Sequence, residues 1–243
     1  PRVDVARKIN SNWNLACKYF MGSALFLASA FVLPLWGIIF LWPAVSLLIV
    51  GSGYAGLGPG IYRKTEGVLH TQTKKLLAPF YLGLWLSYRH FIKGKTAMSE
   101  VLPGLFVGRA LRKEEENLLR ERQIAQVLDL NAEWSEPLCM RSLAYVNIPV
   151  LDLTLPSPEQ LEEACELLKK WENSGSSYVH CSLGLSRASM VILYYLVRSG
   201  RVINVDEGLV ALRTKRPDIV LPQTKLDYLR TLLITKLQNV PPK

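Results

Sequence analysis

Acidic side chains are almost missing from the first 96 residues of this 243-residue chain. Asp4 and Glu66 stand there against 11 Lys and Arg, whereas residues 97–243 balance at 18 basic and 18 acidic. The whole net charge of +9 therefore belongs to the N-terminal part. These basic residues flank an apolar stretch and do not interleave with aromatic and polar positions on one soluble face. That pattern points to anionic membrane lipids as a partner and away from nucleic acid. Cysteine is also scarce. Cys17, Cys139, Cys165 and Cys181 form no C-x-x-C pair and no zinc-type spacing, which argues against a metal site and against a disulfide framework. No motif calls for a cofactor. Cys17, at the entry to the apolar stretch, and Cys165, in an amphipathic pattern, read as buried small apolar residues. Cys181 needs a different explanation. No internal repeat is present.

Charge is absent altogether from Tyr19 to Tyr62, a run of 44 residues rich in Leu, Ile, Val, Phe, Ala and Trp. One helix needs about 20 apolar residues to cross the hydrocarbon core, so the run suits two crossings joined by a turn. The turn is expected near Pro34, Trp36 and Gly37. The apolar core of a signal peptide would be far shorter. Both outer flanks are basic (Arg7, Lys8 and Lys18 before; Arg63, Lys64, Lys74 and Lys75 after), so the positive-inside rule places both ends, and the soluble part beyond them, in the cytoplasm. Leu76 to Tyr88 is too short to span. It reads either as interfacial, with Tyr81, Trp85 and Tyr88 at headgroup depth and Arg89, Lys93 and Lys95 toward lipid phosphates, or as core packed on a soluble domain. Three parts result: a basic N-terminus with a transmembrane hairpin over 1–62, a basic interfacial linker over 63–96, and a soluble domain over 97–243.

The soluble part alternates β-rich runs with helical patterns, predicting an α/β fold with a central sheet flanked by helices. Strands are expected near Glu100–Leu102, Leu105–Gly108, Gln126–Asp129, Ala144–Ile148 and Tyr178–Cys181. A helix begins at Ser157, where Ser-Pro-Glu-Gln forms a capping-box pattern, and buries Leu161, Ala164, Cys165, Leu168 and Trp171. Later helices fit Ser186–Ser199, Val205–Thr214 and Gln223–Leu237.

The most informative string is YVHCSLGLSRAS, Tyr178 to Ser189. A strand feeding a Gly-containing loop and then a helix points several amide N–H groups at one spot, with the positive end of the helix dipole behind them. Such a field binds an anion and favours a thiolate nucleophile at the mouth of the loop. The cradle is Ser182, Leu183, Gly184, Leu185, Ser186 and Arg187. Arg187 can close it by gripping two phosphate oxygens, and Gly184 permits backbone angles that a side chain would block.

With His180, Cys181, Gly184, Ser186 and Arg187 in place, the chain resembles the dual-specificity branch of the protein tyrosine phosphatase superfamily, whose signature is His-Cys-x5-Arg. The resemblance runs through about residues 99–236, including VLPGLFVG at 101–108, NIPVLD at 147–152 and RTKRPDI at 213–219. It implies a phosphoric monoester hydrolase that works through a phosphocysteine on Cys181, with Arg187 as clamp and Asp152 as general acid. It also implies that His180 tunes the thiolate from behind the loop. Asp129, at another strand end, competes for the acid's role and otherwise reads as a solvated or capping carboxylate. One position departs from the family. A Ser or Thr usually stands directly after the Arg and helps the thiolate leave, and here it is Ala188, which predicts slow breakdown of the phosphoenzyme. Ser189 points elsewhere on the helix. The loop side chains carry no Lys or Arg, which disfavours multiply phosphorylated headgroups. Substrates of the expected class are phosphotyrosine, phosphoserine or phosphothreonine on proteins, or a lipid monophosphate. A phosphate-binding pseudophosphatase and a membrane scaffold are the alternatives.

Overall fold

The structure, a computed structural model, describes residues 11–33 and 37–238. The chain divides into two compact units: residues 1–93 with 132–135 and 149–154, and residues 94–131 with 136–148 and 155–243.

The N-terminal unit opens with α1 (Trp13–Val32) and α2 (Gly37–Ser52). Asn12 caps α1 by accepting a hydrogen bond from the Leu15 amide at 3.1 Å. Twenty residues at 1.5 Å each give α1 a length of about 30 Å. Segments Trp13–Val32 and Gly37–Tyr62 are both long and apolar enough to cross a membrane, with mean hydropathies of 1.6 and 1.9. The two helices pack on each other through small residues. A Cβ at Gly51 would lie 2.6 Å from the Phe20 ring, and the Ser23 hydroxyl donates to the Ala44 carbonyl at 2.7 Å. Their other faces expose Leu25, Phe31, Ile38, Ile39, Leu41, Trp42 and Leu48. Of the expected turn, Pro34 and Trp36 lie outside the described residues, and Gly37 opens α2. The reading of Cys17 as buried is corrected: it is exposed on α1, because the helix turns its small residues Ala16 and Ser23 inward instead.

After α2 come a π turn (Gly53–Leu57), a 3-10 turn (Gly58–Tyr62), a short hairpin of β1 (Lys64–Thr65) and β2 (Val68–Leu69), then α3 (Thr71–Leu76) and α4 (Ala78–Phe91). Helix α4, which carries Leu76–Tyr88 from Ala78 onward, has two faces. Phe80 is buried and Tyr81 and Leu84 pack against the unit's core, while Leu82, Trp85, Leu86 and Phe91 are exposed. Tyr81 and Tyr88 flank the Trp134 ring at 6.4 and 5.8 Å, so of the three aromatics expected at headgroup depth only Trp85 faces outward, beneath the Arg89 guanidinium at 4.8 Å. At 14 residues α4 spans about 21 Å, short of the hydrocarbon core. The core of this unit joins Ala16, Val50, Tyr54, Tyr62, Leu69, Leu77 and Phe80 to Ala132 and Leu151 from the two inserted loops.

The C-terminal unit is built on a five-stranded sheet ordered β3-β4-β7-β5-β6, from β3 (Met98–Leu102), β4 (Leu105–Arg109), β5 (Ile124–Asn131), β6 (Ala144–Val150) and β7 (Ser176–Cys181). Strand β3 runs antiparallel to β4, and β4, β7 and β5 are mutually parallel. Side chains alternate across the strands. Leu105, Val107, Leu128, Val179 and Cys181 join one buried cluster, and Phe106, Val127 and Tyr178 join another. The first cluster is covered by α7 (Pro158–Trp171) and α8 (Arg187–Arg198), with α9 (Val205–Lys215) and α10 (Gln223–Gln238) packed on α8. Two short helices, α5 (Asn117–Glu121) and α6 (Leu138–Arg141), precede β5 and β6. The capping box at Ser157 forms as expected, Ser157 and Gln160 bonding each other's amides at 2.9 and 3.2 Å. The helix it starts buries the five residues its spacing predicts.

Candidate active site

Strand β7 ends at Cys181, and after five intervening residues α8 begins at Arg187. The parallel register of β4 and β7 sets Arg109 opposite Cys181, and the Ala110 amide extends the pairing by donating to the Cys181 and Ser182 carbonyls at 2.8 and 3.1 Å. The loop turns at Gly184, with φ of 65° and its α-carbon pressed on β4. A Cβ there would lie 2.4 Å from the carbonyl of Gly108, so glycine is required on both counts. Cys181 and Arg187 are 2 % and 1 % exposed, so both ends of the loop are held by packing. The amide N–H groups of Leu183, Gly184, Leu185 and Ser186 have no acceptor among the described residues. They precede the positive end of a 12-residue helix, the arrangement that holds a phosphate. The structure thus places Cys181, Ser182–Ser186 and Arg187 on one strand–loop–helix turn.

The outside of the loop is bound by residues that sequence reasoning did not single out. Arg216, 1 % exposed, donates from Nε to the Gly184 carbonyl at 3.0 Å and from its two terminal nitrogens to the Ser99 hydroxyl and the Thr96 carbonyl at 3.2 and 3.1 Å. Burial lowers its pKa. The Val220 amide donates to the Leu185 carbonyl at 3.0 Å, and Lys225 Nζ donates to Ser186 Oγ at 2.6 Å. Arg216 lies within RTKRPDI, so its position was visible, but its contact with a loop 32 residues earlier was not.

His180 is fully buried on the opposite face of β7 from the cluster that holds Cys181. It stacks on Tyr178 with centroids 5.2 Å apart and 17° between planes. Its Nε2 lies 3.8 Å from Asp129 Oδ1 and 3.9 Å from Glu136 Oε2. The reading of Asp129 as solvated or capping is therefore corrected. The carboxylate is fully buried and accepts from the Asn131 amide at 2.7 Å, Tyr145 Oη at 2.6 Å and Asn147 Nδ2 at 3.1 Å. Burial, then Asp129 itself, raises the Tyr145 pKa and keeps that hydroxyl a donor. Ligand atoms of Asp129, Glu136 and His180 lie within 4.8 Å of one another, a donor set of metal-binding type. Because Asp129 already accepts three hydrogen bonds from protein donors, the cluster fits a hydrogen-bonded support behind the loop better than a metal site. Tyr178, its pKa raised by burial, donates to the Arg109 carbonyl at 2.5 Å.

Asp152 is half-buried, two residues past the end of β6, and belongs to the N-terminal unit, whereas Cys181, Arg187 and His180 belong to the C-terminal one. Its neighbours are fixed within that unit. Leu151 is 2 % exposed in the apolar core, and its carbonyl accepts from the Thr154 amide and hydroxyl at 3.3 and 2.9 Å. The Leu153 carbonyl accepts from Asn12 Nδ2 at 3.2 Å. Ala188 is fully buried against the sheet, and the buried Ser189 hydroxyl has no hydrogen-bond partner among the described residues. All four cysteines are free.

The catalytic-domain model of the dual specificity phosphatases matches residues 105–233. Dual specificity protein phosphatase 15 of Mus musculus is 27 % identical over 122 residues, covering 49 % of this chain and 51 % of its own. Dual specificity protein phosphatase 1-A of Xenopus laevis is 29 % identical over 119 residues, covering 48 % and 32 %. The chain thus spans about half the length of the first relative and a third of the second. Among solved structures, PTPMT1 in complex with PI(5)P superposes with a TM-score of 0.52 at 17 % identity, over 59 % of this chain and 99 % of that one. Tk-PTP in its active form gives 0.51 at 22 %, over 59 % and 98 %. At such identities the likeness is one of fold. Because the family model covers more than half of the sequence and includes the whole loop from Cys181 to Arg187, the chain belongs to the dual specificity phosphatase family.

Proposed function

We propose that the protein is a membrane-anchored phosphatase that hydrolyses phosphate monoesters through a phosphocysteine at Cys181. The observation that carries this reading is the loop itself: a cysteine at a strand end and a buried arginine at a helix start, joined by four amides without acceptors among the described residues. In the first step the Cys181 thiolate attacks phosphorus, the ester P–O bond breaks, and Asp152 gives its proton to the leaving oxygen. In the second, Asp152 takes a proton from water as that water attacks phosphorus. The P–S bond breaks, inorganic phosphate leaves and the thiolate is restored. Arg187 and the loop amides carry the charge on the phosphoryl oxygens throughout. No cofactor enters either step. Ala188 places no hydroxyl beside the departing sulfur, which makes the second step the slower one.

Helices α1 and α2 act as the anchor, crossing the bilayer as a pair, with the basic flanks on anionic lipid and the catalytic domain in the cytoplasm. The exposed Leu82, Trp85, Leu86 and Phe91 of α4, with Arg89 beside them, suit the membrane interface. Tethering raises the effective concentration of substrates at the bilayer, whether phosphotyrosine, phosphoserine or phosphothreonine on membrane proteins or a lipid monophosphate. The detergent-solubilised chain is expected to turn over p-nitrophenyl phosphate, and Cys181→Ser to abolish it. Absence of turnover together with phosphate-dependent binding would favour the second reading, a phosphate-binding pseudophosphatase, which Ala188 favours. Absence of both would leave a membrane scaffold.

A further inference from the structure

The turn that carries Asp152 is held by a residue 141 positions earlier in the chain. Leu151 to Thr154 form a four-residue turn, closed by the Thr154 amide and hydroxyl donating to the Leu151 carbonyl at 3.3 and 2.9 Å. Asp152 is its second residue and Leu153 its third. Leu153 has a φ of 56°, in the left-handed region that favours glycine or asparagine at this place in a turn. A leucine keeps such an angle only where its surroundings impose it. Its own side chain is 60 % exposed and does not supply the constraint. Buried Leu151 and Thr154 fix the ends of the turn, and the Leu153 carbonyl accepts from Asn12 Nδ2 at 3.2 Å. Asn12 is itself a fixed donor. Its amide donates to the Tyr54 carbonyl at 2.9 Å, its carbonyl accepts from the Ala16 amide at 2.9 Å, and its Oδ1 caps α1 by accepting from the Leu15 amide at 3.1 Å. With Oδ1 committed to the helix, Nδ2 is turned to Leu153. One side chain therefore both starts the first apolar helix and restrains the residue that follows Asp152.

We infer that Asn12 is a positioning residue for Asp152. The assignment rests on the phosphatase reading with Asp152 as general acid, and extends it. Asn12 acts through the Leu153 carbonyl: it keeps Leu153 left-handed and so fixes the direction in which the Asp152 carboxyl leaves the chain. The first turn of α1 then takes part in proton delivery as well as in anchoring. Capping alone would make Asn12 only a support for α1, and the two roles separate chemically. Asp and Ser cap a helix as well as Asn does, but aspartate has no donor and the serine hydroxyl stands on a shorter side chain.

The test uses the full chain in detergent micelles, with an alkyl phosphate and p-nitrophenyl phosphate as paired substrates and Cys181→Ser as blank. The ratio of their kcat values reads the acid, because the alkyl leaving group needs its proton and p-nitrophenolate does not. Asn12→Ser and Asn12→Asp should each lower kcat on the alkyl phosphate by about 10–100-fold with KM unchanged. Turnover of p-nitrophenyl phosphate should stay within about twofold of wild type. Agreement between the neutral and the charged replacement shows that the lost donor, and not the new charge, is responsible. Adding Leu153→Asn, a residue that tolerates left-handed backbone, to Asn12→Ser should recover most of the loss. An equal loss on both substrates, an unchanged ratio, or no recovery from Leu153→Asn overturns the assignment, the first because it would leave Asn12 only a cap. Asp152→Asn, run beside these variants, keeps the two failures apart. If it spares the alkyl phosphate, Asp152 is not the acid and this inference falls with that reading; if it slows the alkyl phosphate selectively and the Asn12 variants do not, this inference alone is overturned.

Discussion

Arg216 and Gly184, 32 residues apart, are joined by a 3.0 Å hydrogen bond from the buried guanidinium to the loop carbonyl. The same guanidinium reaches back to Thr96 and Ser99 at the start of the domain. Its removal strands buried acceptors at about 1–3 kcal/mol each. Arg216→Ala should therefore lower the unfolding free energy by roughly 2–4 kcal/mol and cut kcat at least about tenfold. Arg216→Lys, which cannot fork, should recover little of either. Denaturant titration and p-nitrophenyl phosphate turnover on the same preparations check both.

Gly184→Ala should be more damaging to activity than its size suggests. Its Cβ would sit 2.4 Å from the Gly108 carbonyl at a φ of 65°. The loop must shift, with a loss of more than about 1 kcal/mol in stability. Loss of vanadate protection of Cys181 against iodoacetamide would show that the cradle has opened.

For Asp152→Asn the leaving group decides the outcome. An alkyl phosphate needs its oxygen protonated and should slow by about 10²–10⁴-fold, while p-nitrophenyl phosphate, whose phenolate leaves unaided, should slow far less. Equal effects on both would remove Asp152 as the acid.

Ala188→Ser should speed the second half of the reaction. Wild-type protein is expected to show a pre-steady-state burst of phenolate release equal to the enzyme concentration, and the variant a faster steady phase after it. No burst and an unchanged rate would end this reading.

The pair that braces β4 gives a pH dependence. Burial alone would raise the Glu115 carboxyl, but hydrogen bonds from Arg109 and Arg112 outweigh it and hold the pKa at about 2. A carboxyl depressed in the folded state stabilises above its unfolded value of about 4.3 and loses that contribution as the pH falls toward 2. Arg112 is 52 % exposed, so solvent screening trims the effect to something on the order of 1 kcal/mol. Thermal melts between pH 6 and pH 3 should fall more steeply for wild type than for Glu115→Gln.

What could be read from the sequence was what repeats locally or is coded in one short string. The Ser157 cap, the stripe from Leu161 to Trp171 and the strand–loop–helix order around Cys181 are all local, and each forms as expected. The strands of the sheet run past their expected ends because Asn131 and Val150 continue the extended backbone beyond the apolar runs. Long-range partners left no such trace. Arg216, Lys225 and Glu136 look like surface charges in their own surroundings, and only the fold reveals them as neighbours of Gly184, Ser186 and His180. Asp129 looked solvated because a single Asp at a strand end carries no sign of the Tyr145 and Asn147 that enclose it.

Leu151 is seated among residues that precede position 94 and has its own consequence for handling the protein. A fragment trimmed to residues 94–243 to make it soluble keeps every atom of the phosphate cradle and discards Ala16, Tyr54 and Phe80, together with the Asn12 amide that tethers Leu153. Asp152, which we propose as the proton donor, would then ride on a slack strand of chain. Such a fragment would look healthy with an activated aryl ester and nearly inert toward a natural one, and a substrate screen run on it would favour the wrong compounds.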